Sequence, residues 1–257
     1  MFSLMVCLLL QSAPKTPASV GAELLARNLP VPKDAADLDE PITSYSVLDD
    51  RQGFVIAYYG QEPDGLLHEL RVRSFDARTR TWRSKTFPEP IGSILKIDRN
   101  ASVIYVNGHS SPSATPTLVL SANLEVKREL DGWPVLMLDD GRMVFQRSMV
   151  HFAPAHGGAL ALYDPVADRE VSLYPPPEAN NERGVEAGGT GLLMDRVISA
   201  VKLGKAPGTL EFQVVEQPMQ VTRENRGEAA GPERRRLVVC NVDASPPVCD
   251  SRSAIRD

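Results

Sequence analysis

The chain has 257 residues, of which 42% are hydrophobic and 24% charged, with a formal net charge of -5. That length supports one large all-β domain or two small ones and needs no metal or disulfide lattice to build a core. The acidic balance argues against non-specific nucleic-acid binding, which runs on neutralising phosphates.

The chain opens MFSLMVCLLLQSAPKTPAS. An apolar run followed by small residues reads as the core and cleavage zone of a secretory signal peptide over residues 1–18, although no Lys or Arg precedes it. Nine residues are too few to cross ~30 Å of hydrocarbon, so no integral membrane span is expected. The mature domain would then be 19–257, secreted or periplasmic. Within 19–40, AELLARNL suits either a short helix or a closing strand.

Four stretches then repeat one design: VLDDRQGFVIAYYG from Val47, LKIDRNASVIYVNG from Leu95, LMLDDGRMVFQRS from Leu136 and LLMDRVISAVKLG from Leu192. Each is an apolar strand, one or two Asp, a turn and a second apolar strand. Their markers Asp50, Asp98, Asp140 and Asp195 are 48, 42 and 55 residues apart. A second strand–turn–strand unit follows each, turning at Asp76, Asn123, Asp164 and near Asp243. Asp and Asn suit turns because the side chain can accept from backbone two residues on. Four strands per 40–50 residues is the pattern of a propeller blade. The expected fold is therefore all-β and propeller-like. It has four to five blades of four antiparallel strands, near 42–88, 91–130, 133–177 and 185–251, with a loop insert at 204–235. A β-sandwich is the alternative.

These repeats resemble, at superfamily level, extracytoplasmic β-propellers of the kelch-like and Tol-type periplasmic groups. The likeness rests on strand order and the Asp turns, without a regular Gly-Gly doublet or a recurrent Trp-Asp. It carries over no catalytic residue.

Cys240 and Cys249, in CNVDASPPVC, are an even, closely spaced pair and are expected to form a disulfide in an oxidising compartment. No metal site is expected. His151 and His156 lack a third ligand, and no zinc, P-loop, dinucleotide or hydrolase-elbow motif occurs. No cofactor is expected either.

All four histidines, His68, His109, His151 and His156, fall in or beside a connection between the second and third strand of a repeat. With Ser110 and Arg147 they are the candidate binding residues on one loop face, alongside Ser111, Tyr59 and Lys202. His109, His151 and His156 are the candidates for acid–base work. Three readings follow. The preferred one is an exported binding or scaffold protein for an unknown protein, peptide or glycan. The second is a secreted hydrolase or lyase using the histidines. The third is an assembly module docking through 204–235. Whether the protein is an enzyme stays open at this level.

Overall fold

The computed structural model describes residues 19–30, 42–60, 69–87, 93–100, 103–109, 115–147, 158–175, 191–222 and 227–253. The segment expected as a signal peptide lies outside them.

Four antiparallel meanders follow one another along the chain. Sheet 1 holds β1 (Ile42–Asp50), β2 (Gly53–Gly60), β3 (Leu70–Asp76) and β4 (Thr81–Phe87). Sheet 2 holds β5 (Ser93–Arg99), β6 (Val103–His109), β7 (Pro116–Ser121) and β8 (Val126–Asp131). Sheet 3 holds β9 (Trp133–Met137), β10 (Met143–Gln146), β11 (Leu160–Asp164) and β12 (Arg169–Tyr174). Sheet 4 holds β13 (Gly191–Leu203), β14 (Thr209–Val221), β15 (Gly227–Ala229), β16 (Arg234–Asn241) and β17 (Val248–Ser253). In sheet 4, β15 and β16 both run along β14, so together they make one interrupted third strand. One helix, α1 (Val20–Ala26), precedes the sheets, its first turn capped by Ser19, which accepts from the Ala22 amide at 3.1 Å. The fold is all-β and propeller-like.

The period-2 rule explains how the sheets stack. On β2, Val55, Ala57 and Tyr59 face sheet 2, while Phe54, Ile56 and Tyr58 face α1. On β6, Ile104 and Val106 face sheet 1, and Val103 and Tyr105 face sheet 3. On β10, Met143 and Phe145 meet sheet 2, and Val144 meets sheet 4. The inner strands are apolar on both faces because both faces are covered. A two-layer sandwich would leave each sheet one wet face, so that alternative falls. The end layer behaves differently: β14 buries Leu210, Phe212 and Val214 against sheet 3 and turns Gln213 to solvent.

Both kinds of Asp or Asn turn sit at one end of the strands. Asp50 accepts from Gln52 N at 2.7 Å and Asp140 from Arg142 N at 3.0 Å. Asp76 accepts from Arg78 N and Thr79 N, and Asp164 from Val166 N and Ala167 N. Two markers move by a few residues. Asn100, not Asp98, caps the β5–β6 turn by accepting from Val103 N, and Asn241, not Asp243, caps the β16–β17 turn.

Two expectations are overturned in sheet 4. Asp195 lies inside β13 rather than at a turn, because the β13–β14 corner is built by Gly204 and Thr209. The stretch 204–235 is not a loop insert. It contains β14, a single 13-residue strand paired with β13 and β16.

The same end of the stack carries the clamps between sheets. Arg99 donates to both carboxylate oxygens of Asp50, joining sheets 1 and 2. Asn100 donates to the Gly141 carbonyl at 2.7 Å, joining sheets 2 and 3. Arg142 donates to the Val242 carbonyl and to Asp243, at 2.6 and 2.5 Å, joining sheets 3 and 4. In each case a side chain of the first turn of one sheet bridges to a neighbouring sheet.

Candidate functional site: an arginine-lined cleft

Of the candidates on the histidine-bearing end, His68, Ser110, Ser111, His151 and His156 lie outside the described residues. His109 closes β6, and its Nδ1 is buried with no hydrogen-bond partner among the described residues. Arg147 follows β10. Its guanidinium pairs with Glu170 in the same sheet and lies 6.0 Å from the centre of the Phe145 ring. Tyr59 is fully buried in the core between sheets 1 and 2. Lys202 faces Glu211 at 3.6 Å on the outer side of sheet 4. Cys240 and Cys249 are disulfide-bonded across paired positions of β16 and β17.

A more polar recess formed by described residues lies elsewhere. It is a cleft of about 410 Å3 at the turn end, at the junction of sheets 1 and 2. Arg51, Gln52, Arg78 and Arg99 line it, with Arg83 and Ser74. Local structure explains each position. Arg51 and Gln52 are the two corner residues of the β1–β2 hairpin. Gly53 closes that corner at φ +134°, where a Cβ would stand 1.9 Å from the Phe75 carbonyl oxygen, so only glycine fits. Arg78 is carried by the β3–β4 turn that Asp76 caps. Arg99 ends β5, and Ser74 points inward from β3 with 4% exposure.

The four arginines are not equivalent. Arg99 is buried to 7% exposure and held in a two-pronged pair by Asp50, so its guanidinium is a fixed part of the floor. Arg51 and Arg78 are exposed, and among the described residues neither has an ion pair or side-chain hydrogen bond. Arg83 is 4.0 Å from Asp76, the one carboxylate on the lining. Asp76 is held below the usual carboxyl range, chiefly by the Thr79 amide, with the Arg78 amide and charge adding to it against some desolvation. The lining therefore carries four guanidinium groups; Asp50 balances Arg99 and Asp76 lies beside Arg83, which leaves Arg51 and Arg78 as the excess positive charge.

A smaller recess of about 200 Å3 lies at the junction of sheets 3 and 4, but there Arg142 is already satisfied by Asp140, Asp243 and the Val242 carbonyl. Among the described residues no group of three or more His, Cys, Asp or Glu is placed to hold a metal, and no helix is long and apolar enough to cross a membrane.

The arginine cleft was not singled out in the sequence. The available signal was an Arg directly after the repeat's marker aspartate, in Asp50-Arg51 and Asp98-Arg99, and again two residues after Asp76.

No family model matches the chain, and no curated protein matches it. Solved structures give distant likenesses. A thermostable family-43 glycoside hydrolase is 12% identical, with a TM-score of 0.31 and coverage of 84% of this chain and 76% of that one. An exo-1,5-alpha-L-arabinanase from a bovine ruminal metagenomic library is 10% identical, with a TM-score of 0.27 and coverage of 89% and 97%. Neither is described as kelch-like or Tol-type, so that part of the resemblance gains no support. At these scores the likeness carries no argument about activity.

Proposed function

We propose that the chain is an exported propeller-like binding protein that holds a negatively charged ligand in the arginine cleft without transforming it. The observation that carries this reading is the unpaired couple Arg51 and Arg78 above an Arg99 immobilised by Asp50. Guanidinium groups suit carboxylate, sulfate and phosphate because their N–H fork matches those oxygens. Asp76, the lining carboxylate, spends Oδ1 on two turn amides and stays ionised near neutral pH, so it has no proton to give a leaving group. The Cys240–Cys249 disulfide supports an oxidising compartment, and with residues 1–18 it underlies the export reading.

Calorimetric titration of the full oxidised chain with citrate tests this. Binding is expected, weakened at high salt because the rim charges are exposed, and reduced at least tenfold by Arg51→Gln/Arg78→Gln. Equal affinity of that double variant would remove the cleft as the site.

A second reading, a hydrolase or lyase at the histidine-bearing end, has one observation in its favour: the buried Nδ1 of His109, with no hydrogen-bond partner among the described residues. If that imidazole works on a substrate, His109→Ala abolishes turnover of any ester or glycoside the protein cleaves and leaves the thermal transition in place. Unchanged turnover would end this reading.

A further inference from the structure

The cleft has two tiers of guanidinium groups. The lower is Arg99, whose Nε and Nη2 donate to Asp50, which balances its charge, so that it offers its remaining N–H groups and not a net charge. The upper is Arg51 and Arg78, on two different turns of sheet 1. Neutral hydrogen-bonding groups, the Gln52 amide and the Ser74 hydroxyl, share the lining with them. One small anion on the floor would leave the rim arginines unanswered. One on the rim would leave the lower tier unanswered.

The apolar lining narrows the ligand further. Val103 and Ile104 are 1% and 2% exposed, so the exposed apolar side chain on the lining is the single methyl group of Ala122. A peptide anchored by hydrophobic side chains finds no pocket there. The lining holds no aromatic ring, so single-stranded nucleic acid finds no stacking platform.

Resting on the anion-binding reading above, we infer that the ligand is a segment of an anionic glycan. Its carboxylate or sulfate groups recur along a hydroxyl-rich chain. One anionic group sits on Arg99 at the floor, and a second meets Arg51 and Arg78 at the rim. Gln52 and Ser74 serve the hydroxyls between. A recess of about 410 Å3 is in the range of small-ligand sites, so it takes a short stretch of such a chain while the rest runs into solvent.

The test uses the full oxidised chain and five probes: a tetragalacturonate, a chondroitin sulfate tetrasaccharide, free galacturonate, inorganic phosphate and a short polyglutamate. The tetragalacturonate, the sulfated tetrasaccharide or both are expected to bind at least tenfold more tightly than galacturonate or phosphate; which of the two binds tells carboxylate from sulfate. Arg51→Gln/Arg78→Gln should remove that advantage while leaving the weak binding of galacturonate at the floor. If galacturonate or phosphate binds as tightly as both tetramers, the two-tier glycan inference falls and the anion-binding reading stands. Tighter binding of polyglutamate would replace a glycan by an acidic peptide and overturn the inference. If no probe binds, both readings fall together.

Discussion

At the residue scale the turns are decided by single side-chain acceptors. Asp76 shows how such a residue couples to pH. A carboxyl held below its ordinary value contributes stability that is present above the unfolded-state value, about 3.9, and is lost as pH falls toward the folded one. Asp76→Asn should therefore be less stable than the parent at pH 7, and the gap should close below about pH 4; urea midpoints across that range check it. A gap that stayed constant would mean the carboxylate charge is irrelevant to the turn. The turn chemistry was legible because an Asx turn is local: Asp50, Asp76, Asp140 and Asp164 all accept from amides two or three residues on. Asp98 misled because Asn100, two residues later, offers the same acceptor at the actual corner.

At the element scale the last sheet departs most from expectation. Its β13 and β14 are each 13 residues long, and its first corner is made by Gly204 and Thr209 instead of an acid, so a reading anchored on Asp195 placed the corner inside a strand. Its final edge strand, β17, is tied to β16 by Cys240–Cys249. Closing so short a loop stabilises by about 2–3 kcal/mol on the chain-entropy account. Cys240→Ala/Cys249→Ala is expected to cost about that much and to speed amide exchange in β17 and β16, with β2 and β6 still protected. Uniform loss of protection would show that the strand edge and the whole stack open together. The buried ion group on the inner face of the same sheet is a further tie. Glu216 accepts from Tyr174 Oη at 2.6 Å and Arg196 Nε at 3.3 Å, and pairs with Arg236 at 3.3 Å, so sheets 3 and 4 share one carboxylate.

At the scale of the whole molecule, burial of aromatic hydroxyls sets the alkaline limit. Burial pushes Tyr59, Tyr105, Tyr163 and Tyr174 well above their usual value, with Asp168 adding to the effect at Tyr163 and Glu216 at Tyr174. A raised folded-state value means stability that is complete below about pH 10 and declines above it, by about 1.4 kcal/mol per pH unit for each tyrosine. Four of the six tyrosines should thus ionise only as the chain unfolds, seen as a step in ultraviolet absorbance that coincides with loss of β signal; smooth titration in the folded state would contradict it. The layered architecture was readable from alternation and turns, which are short-range. The arginine cleft was not, because its arginines come from two turns, a strand and a strand end of two sheets, and each arginine alone reads as a solvated charge. The sheets themselves lie in chain order, with α1 over one outer face and solvent over the other, where Val197 and Val248 stand about half exposed. A stack of that kind resembles a row of leaning books with a bookend at one side only. Loosening can start at the bare side and advance one volume at a time, while the arginine cleft, lodged next to the bookend, is the last place it reaches.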